Sequence, residues 1–230
     1  MMGGRRPAGR RGFVFSRNAR VMNWLFLLDY VGVALFAATG ALAASRKQLD
    51  IIGFLFFGAV TGIGGGTARD LMLDVPVFWV EQQAYLLVCA VTAGVVYFTA
   101  HRIESRYRLL LWLDAVALAA YGVFGAYKGL AVTDSAVVAI AMGMITGTLG
   151  GILRDVLAGE PSVLLRRDIY VTAALAGALT FVAAQAAGLP LAVAAGLGFA
   201  VALGVRSGAL LFGWTLPSYG ARRKPEDPKP

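Results

Sequence analysis

This 230-residue sequence predicts an all-α membrane protein with seven transmembrane helices, built as two inverted three-helix repeats plus a seventh helix. Three observations carry that expectation. The composition is 58% hydrophobic and only 15% charged, with a mean hydropathy of +0.70. Several apolar runs reach the roughly 20 residues that a helix needs to cross a bilayer. Two stretches of the chain also align without a gap at an offset of 85 residues. A transmembrane β-barrel does not fit, because its strands need only about 10 residues of alternating polarity. The runs here are longer and uniformly apolar.

The helices are expected at 24–44, 51–69, 84–100, 111–127, 135–153, 169–187 and 192–213. This gives a first repeat over 22–107, a second over 108–190, a seventh helix over 191–213 and a cytoplasmic tail over 214–230. Loop charges orient the bundle. Arg46 and Lys47, then Arg102, Arg106 and Arg108, then Arg154, Arg166 and Arg167, then Arg222, Arg223 and Lys224 all fall on one side. By the positive-inside rule that side is the cytoplasm, so the chain is N-out and C-in. The segment "MMGGRRPAGRRGFVFSRNAR" disagrees, carrying six arginines on the outer side. Its apolar stretch is too short for a signal peptide. Residues 1–21 are therefore read as a disordered or misassigned extension, with translation starting at Met22.

The net charge of +8 is accounted for by these loops and tails, so nucleic acid is not an expected partner. The single cysteine, Cys89, cannot form an intrachain disulfide, and the single histidine, His101, sits in a charged loop. No His, Cys and carboxylate cluster has metal-ligand spacing, so neither a metal nor another cofactor is expected.

The repeat is the most informative feature. Asp29 aligns with Asp114, Phe36 with Tyr121 and Gly40 with Gly125. "GAVTGIGGGTARDLMLDVP" then aligns with "GMITGTLGGILRDVLAGEP", and Tyr85 with Tyr170. Each copy holds three helices, so the second enters the membrane from the opposite side, the pattern of an inverted-topology repeat. Polar paths in such proteins lie near the repeat interface, often beside interrupted helices.

Gly58, Gly62 and Gly66 recur every fourth residue, as do Gly143, Gly147 and Gly151. That spacing places them on one helix face, where backbones can approach closely. Tight packing is one reading. The extra glycines, Gly64 and Gly65 in one copy and Gly150 in the other, support a second. Each glycine costs about 1 kcal/mol relative to alanine in a helix interior. A bend or break would free carbonyls, tolerated at membrane depth only beside protein or water. Thr61 and Thr146 could satisfy them. Thr61, Gly62, Gly64, Gly65, Gly66, Thr146, Gly147, Gly150 and Gly151 are thus the candidate pore and hinge residues.

The charges Asp29, Arg69, Asp70, Asp114, Lys128, Arg154 and Asp155 form the second candidate set. A charge in the membrane costs a few kcal/mol unless paired or hydrated. Inverted topology puts Asp29 and Arg69 at one depth, and Asp114 and Arg154 at another, so two ion pairs are expected. The alternative is that the Arg-Asp pairs mark helix ends or line pore mouths, and that Lys128 snorkels or lies at a mouth. Nothing supports enzymatic chemistry. "TGIGGGTARD" lacks the Lys-Ser/Thr of a phosphate-binding loop and the spacing of a dinucleotide fingerprint.

The duplicated glycine segment ending in "ARD" or "LRD", the opening "LLDYVGVALFAATGALAA" and the three-plus-three-plus-one helices resemble the trimeric intracellular cation channel family in its prokaryotic branch. The resemblance covers about residues 22–213. It implies a homotrimer with a potassium-permeable pore in each protomer, second and fifth helices kinked at the glycines, and a prokaryotic inner membrane as location. Animal members carry a Lys-Glu-Val motif and a lysine-rich tail; here Lys128 precedes "GLAV" and the tail is short. The expected partners are potassium and other monovalent cations, membrane lipid and two further copies of the chain. The competing expectation is a transporter of a small solute such as glycine, since inverted repeats serve transporters as often.

Overall fold

The computed structural model describes residues 19–103, 105–161 and 169–216, with side chains from Asp29 onward. Their regular structure is helical: α1 (Ala19–Arg46), α2 (Ile51–Met72), α3 (Phe78–Glu81), α4 (Ala84–Thr99), α5 (Arg106–Thr133), α6 (Ala136–Leu157), α7 (Val171–Ala186) and α8 (Leu191–Phe212). Among the described residues, five helices are long and apolar enough to cross a membrane, counting α4 with the 3-10 turn that extends it to Arg102, and α7 is a shorter apolar helix. The chain is a multi-pass membrane protein. Residues 1–18, the loop arginines Arg166 and Arg167, and the tail beyond residue 216 lie outside the described residues. Helix α1 begins at Ala19, three residues ahead of Met22.

The two aligned stretches use the same local devices. Asp50 caps α2 by accepting from the backbone N–H of Gly53 at 2.8 Å. Its counterpart Ser135 caps α6 by accepting from Val138 at 3.4 Å. Each cap satisfies one of the N–H groups a helix start leaves unpaired. At the other ends, Asp74 and Gly159 both take left-handed backbone (φ 51° and 62°). The chain then turns back, with Val75 donating to the Asp70 carbonyl at 3.1 Å and Glu160 to that of Asp155 at 3.0 Å.

Two features depart from the sequence expectation. Helix α5 continues to Thr133, six residues beyond its expected end, because nothing in "KGLAVT" stops a helix before Asp134 adopts left-handed backbone. The one-turn helix α3 was not expected; four residues are too few to show a helical period.

Helix α5 packs against α1, α6, α7 and α8, while α2 packs against α1, α4 and α6. The interior is rich in small residues: Ala37, Ala115, Ala117, Ala126, Ala174 and Ala202 are all fully buried. Small side chains let helix backbones approach where lipid supplies no hydrophobic drive for association. Large apolar residues such as Ile52, Leu87, Phe98 and Val137 face outward, as lipid contact requires.

Candidate functional site

Helices α2 and α6 cross at their glycines. A Cβ built on Gly65 would stand 2.6 Å from the carbonyl oxygen of Thr146, and one on Gly150 would stand 2.7 Å from that of Thr61. Residues 61 and 65 therefore meet 150 and 146 in reverse order, so the two helices run antiparallel through the contact. The expected interruption is absent: α2 is continuous through Gly62–Gly66 and α6 through Gly147–Gly151. The glycines are accounted for by close approach. Gly62 faces the Cys89 sulfur and Gly147 the Leu118 carbonyl, each 2.9 Å from where a Cβ would sit.

Thr61 and Thr146 are fully buried at this crossing. Their hydroxyls have no hydrogen-bond partner. Each points at a glycine of the preceding long helix, Gly40 for Thr61 and Gly125 for Thr146, with 2.6 Å to a built Cβ. An unpaired buried hydroxyl costs about 1–3 kcal/mol, so two of them at equivalent positions form a polar spot that invites water or an ion.

A charged cluster lies at the end of each crossing helix, eight residues beyond its threonine and thus about 12 Å along the axis. In the first, Asp70 is the hub. Its Oδ1 accepts from Arg69 Nε at 2.7 Å and pairs with Lys128 Nζ at 2.8 Å. Its Oδ2 accepts from the backbone N–H of Phe78 at 3.0 Å, so α3 docks onto this carboxylate. The Arg69 guanidinium lies over the rings of Phe78 and Phe124, 5.7 and 5.2 Å from their centroids. Asp29 instead accepts from the Tyr85 hydroxyl at 2.5 Å, while Tyr121 donates to its backbone carbonyl at 3.4 Å.

The expected Asp29–Arg69 pair is therefore not formed. No oxygen of Asp29 lies within 4.0 Å of an Arg69 nitrogen. Asp29 Oδ1 and Arg69 Nη1 are both buried without a hydrogen-bond partner. The physical reason is competition: Asp70 and two aromatic faces hold the guanidinium, and Tyr85 holds the carboxylate.

The second cluster does form the expected pair. Arg154 Nη1 reaches Asp114 Oδ1 at 2.6 Å, and its Nη2 reaches Asp155 Oδ1 at 2.9 Å. One guanidinium bridges both carboxylates. Beside it Tyr170 is fully buried, its hydroxyl directly above Gly151, where any Cβ would overlap it. Arg206 of α8 lies over the Tyr170 ring at 5.0 Å, 1% exposed, with Nε and Nη2 unpartnered. A cavity of about 10 Å³ adjoins Arg154, Asp155, Arg46 and Glu160. That is room for about one water. Arg46 closes its outer side, pairing with Glu160 at 3.0 Å.

Sequence reasoning missed Arg206, Tyr85, Tyr121 and Tyr170 as members of these clusters. Arg206 had a signal: it is the only charged residue in the seventh apolar run. Tyr85 and Tyr170 are repeat counterparts, but a tyrosine in an apolar helix has no mark that distinguishes a ligand of carboxylate from core. Among the described residues, no three His, Cys, Asp or Glu side chains group as a metal site.

These observations define a class: a helical membrane protein with a line of buried polar groups running through one small-residue bundle. A family model described as Glycine transporter matches residues 26–101 and again 111–186. The two matches are offset by the same 85 residues as the internal alignment. The fold is similar to the TRIC trimeric intracellular cation channel orthologue from Rhodobacter sphaeroides. That likeness has 54% identity and a TM-score of 0.81, over 84% of this chain and all of that one. A second solved structure, from work on conductance through TRIC cation channels, is 28% identical with a TM-score of 0.77, covering 86% of this chain and 98% of its own. The inner membrane protein YadS of Escherichia coli K12, of family UPF0126, is 41% identical over 70% of this chain and 78% of its own length. The chain belongs to the trimeric intracellular cation channel family, in its prokaryotic branch.

Proposed function

We propose that this protein is a potassium-permeable monovalent cation channel of the prokaryotic inner membrane. It conducts passively through a pore within each protomer of a homotrimer. The seven helices are two inverted repeats, 22–107 and 108–190, plus a seventh helix over 191–213, set N-out and C-in.

One observation carries the reading. Asp70 and Arg69 at one end, Thr61 and Thr146 at the crossing, and Asp155 and Arg154 at the other follow one another along the antiparallel helices α2 and α6, with Asp29 of α1 and Lys128 and Asp114 of α5 beside them. Charged cluster to charged cluster spans about 18 Å, from 1.5 Å of rise per residue with Gly65 set opposite Thr146, against about 30 Å of hydrocarbon. Intramembrane charge is costly and marks ion paths. Among the described residues, each cluster sets two carboxylates against two cations, counting Arg206 in the second. That charge balance opposes a monovalent cation at neither end, and the Thr61 and Thr146 hydroxyls, which have no partner, supply oxygen ligands. In the conformation described here the crossing is closed by backbone contact, so conduction requires α2 and α6 to separate at Gly65 and Gly150.

Planar-bilayer recording of purified protein in potassium salt tests this. Discrete unitary currents reversing near the potassium equilibrium potential are expected. Saturable uptake of glycine into vesicles, without unitary currents, would establish the transporter reading instead.

A further inference from the structure

Between the start of α5 and the end of α8 lies a groove of about 480 Å³, lined by Ser105, Arg108, Leu111, Trp112, Leu210 and Leu211. We propose that it holds one anionic phospholipid of the inner leaflet. The phosphodiester sits at Arg108 and Ser105, and an acyl chain lies along Leu111, Trp112, Leu210 and Leu211.

The groove is amphipathic along its length. Ser105 caps α5 and Arg108 stands in its first turn. Leu111 and Trp112 follow one turn deeper, about 5 Å further along the axis. Leu210 and Leu211 supply an apolar wall from the end of α8. The volume falls in the range of about 300–1,000 Å³ typical of ligand sites. Tryptophan favours the level between headgroup and hydrocarbon, which places Trp112 where the lipid changes character.

The charge selects the headgroup. Three basic residues nearby are already used. Arg106 donates to the carbonyls of Ala100 at 2.9 Å and Ser45 at 3.3 Å, and Arg46 and Lys47 pair with Glu160. Arg108 is exposed, and its guanidinium makes no ion pair or hydrogen bond among the described residues. It sits at the N-terminus of a 28-residue helix, where the backbone dipole also favours an anion. Ser105 Oγ accepts from the Arg108 backbone N–H at 3.4 Å, and its own proton remains available to a phosphate oxygen. A zwitterionic headgroup would satisfy the same geometry with no net attraction, so an anionic one is preferred. A basic residue near the membrane surface contributes about fivefold to such binding.

The test is native mass spectrometry of the full-length protein in mild detergent, titrated with palmitoyl-oleoyl phosphatidylglycerol or phosphatidylcholine. One phosphatidylglycerol per protomer should be retained in preference to phosphatidylcholine. Arg108→Ala should lower that retention about fivefold, Arg108→Lys should largely restore it, and Arg102→Ala, in the exposed turn before α5 and outside the groove, should leave it unchanged. Retention unaffected by Arg108→Ala, or lost equally in Arg102→Ala, overturns the site. A shift from assembled to dissociated protein in Arg108→Ala would assign the groove to a contact between copies and overturn it too. The readout needs no current, so its failure is separable from failure of the conduction reading.

Discussion

Replacing Arg154 by glutamine should destabilise the protein far more than the equivalent change at Arg69. Arg154 is the sole bridge between Asp114 and Asp155, with contacts of 2.6 and 2.9 Å, and only 2% of it is exposed. Breaking a buried pair by removing one partner costs about 3–5 kcal/mol. Asp155 keeps a further contact, so the lower end, about 3 kcal/mol, is the better figure. Arg69→Gln strands nothing comparable. Asp70 keeps Lys128 at 2.8 Å and the Phe78 N–H at 3.0 Å, and Arg69 Nη1 has no partner to lose. About 1 kcal/mol is expected there, the net worth of one hydrogen bond. In thermal unfolding of detergent-solubilised protein, a chain of this size loses about 2–4 °C per kcal/mol. Arg154→Gln should thus lower the midpoint by about 6–12 °C, and Arg69→Gln by a few degrees. Double-mutant cycles sharpen the contrast. Asp114→Asn with Arg154→Gln should couple by about 2 kcal/mol, and Asp29→Asn with Arg69→Gln by less than about 0.5 kcal/mol. Equal coupling in the two cycles would refute the assignment of different partners to the two arginines.

Three further outcomes are expected. Gly65→Ala and Gly150→Ala push a methyl onto carbonyls 2.6 and 2.7 Å away and should each cost about 1–3 kcal/mol; Gly94→Ala, with nothing within 4 Å, should be neutral or stabilising, as the same thermal assay would show. Thr61→Val and Thr146→Val remove hydroxyls that have no partner; both should hold or raise stability and reduce unitary conductance in bilayers, and wild-type conductance would remove the threonines from the path. A chain beginning at Met22 omits three residues of α1 and should insert, assemble and conduct as the full chain does; loss of assembly on size-exclusion chromatography would give the upstream segment a structural role.

Much of this arrangement was legible in the sequence because it is written twice. Identity at fixed offset in Gly, Thr, Arg and Asp positions marks which residues share an environment, and antiparallel crossing at Gly65 and Gly150 follows that marking. What the glycines do there was less legible. Clustered glycine suggests a break as readily as a close contact, and only the partner helix decides; here the carbonyls of Thr61 and Thr146 occupy the space a side chain would need. The ends of α5 and the turn α3 depend on caps and docking contacts that leave no period in the sequence.

The ion-pair geometry was half legible, and the missing half has a physical cause. The repeat motif contains one Arg-Asp pair and one upstream Asp per copy, which predicts the same pairing twice. The surroundings are not duplicated. Helix α5 brings Lys128 to Asp70, and the docked turn α3 brings the Phe78 N–H to the same carboxylate. With Asp70 so anchored, Arg69 pairs with it across two aromatic rings, and Asp29 is left to Tyr85. At the other end the extra cation is Arg206, placed by α8 over a tyrosine ring and without a hydrogen bond to either carboxylate. Arg154 then bridges Asp114 and Asp155. Residues that the duplication does not match, Lys128 of α5 and Phe78 of α3 at one end and Arg206 of α8 at the other, therefore decide how each copy of the motif resolves its charges, and two equivalent motifs present unlike electrostatic ends to the path between them.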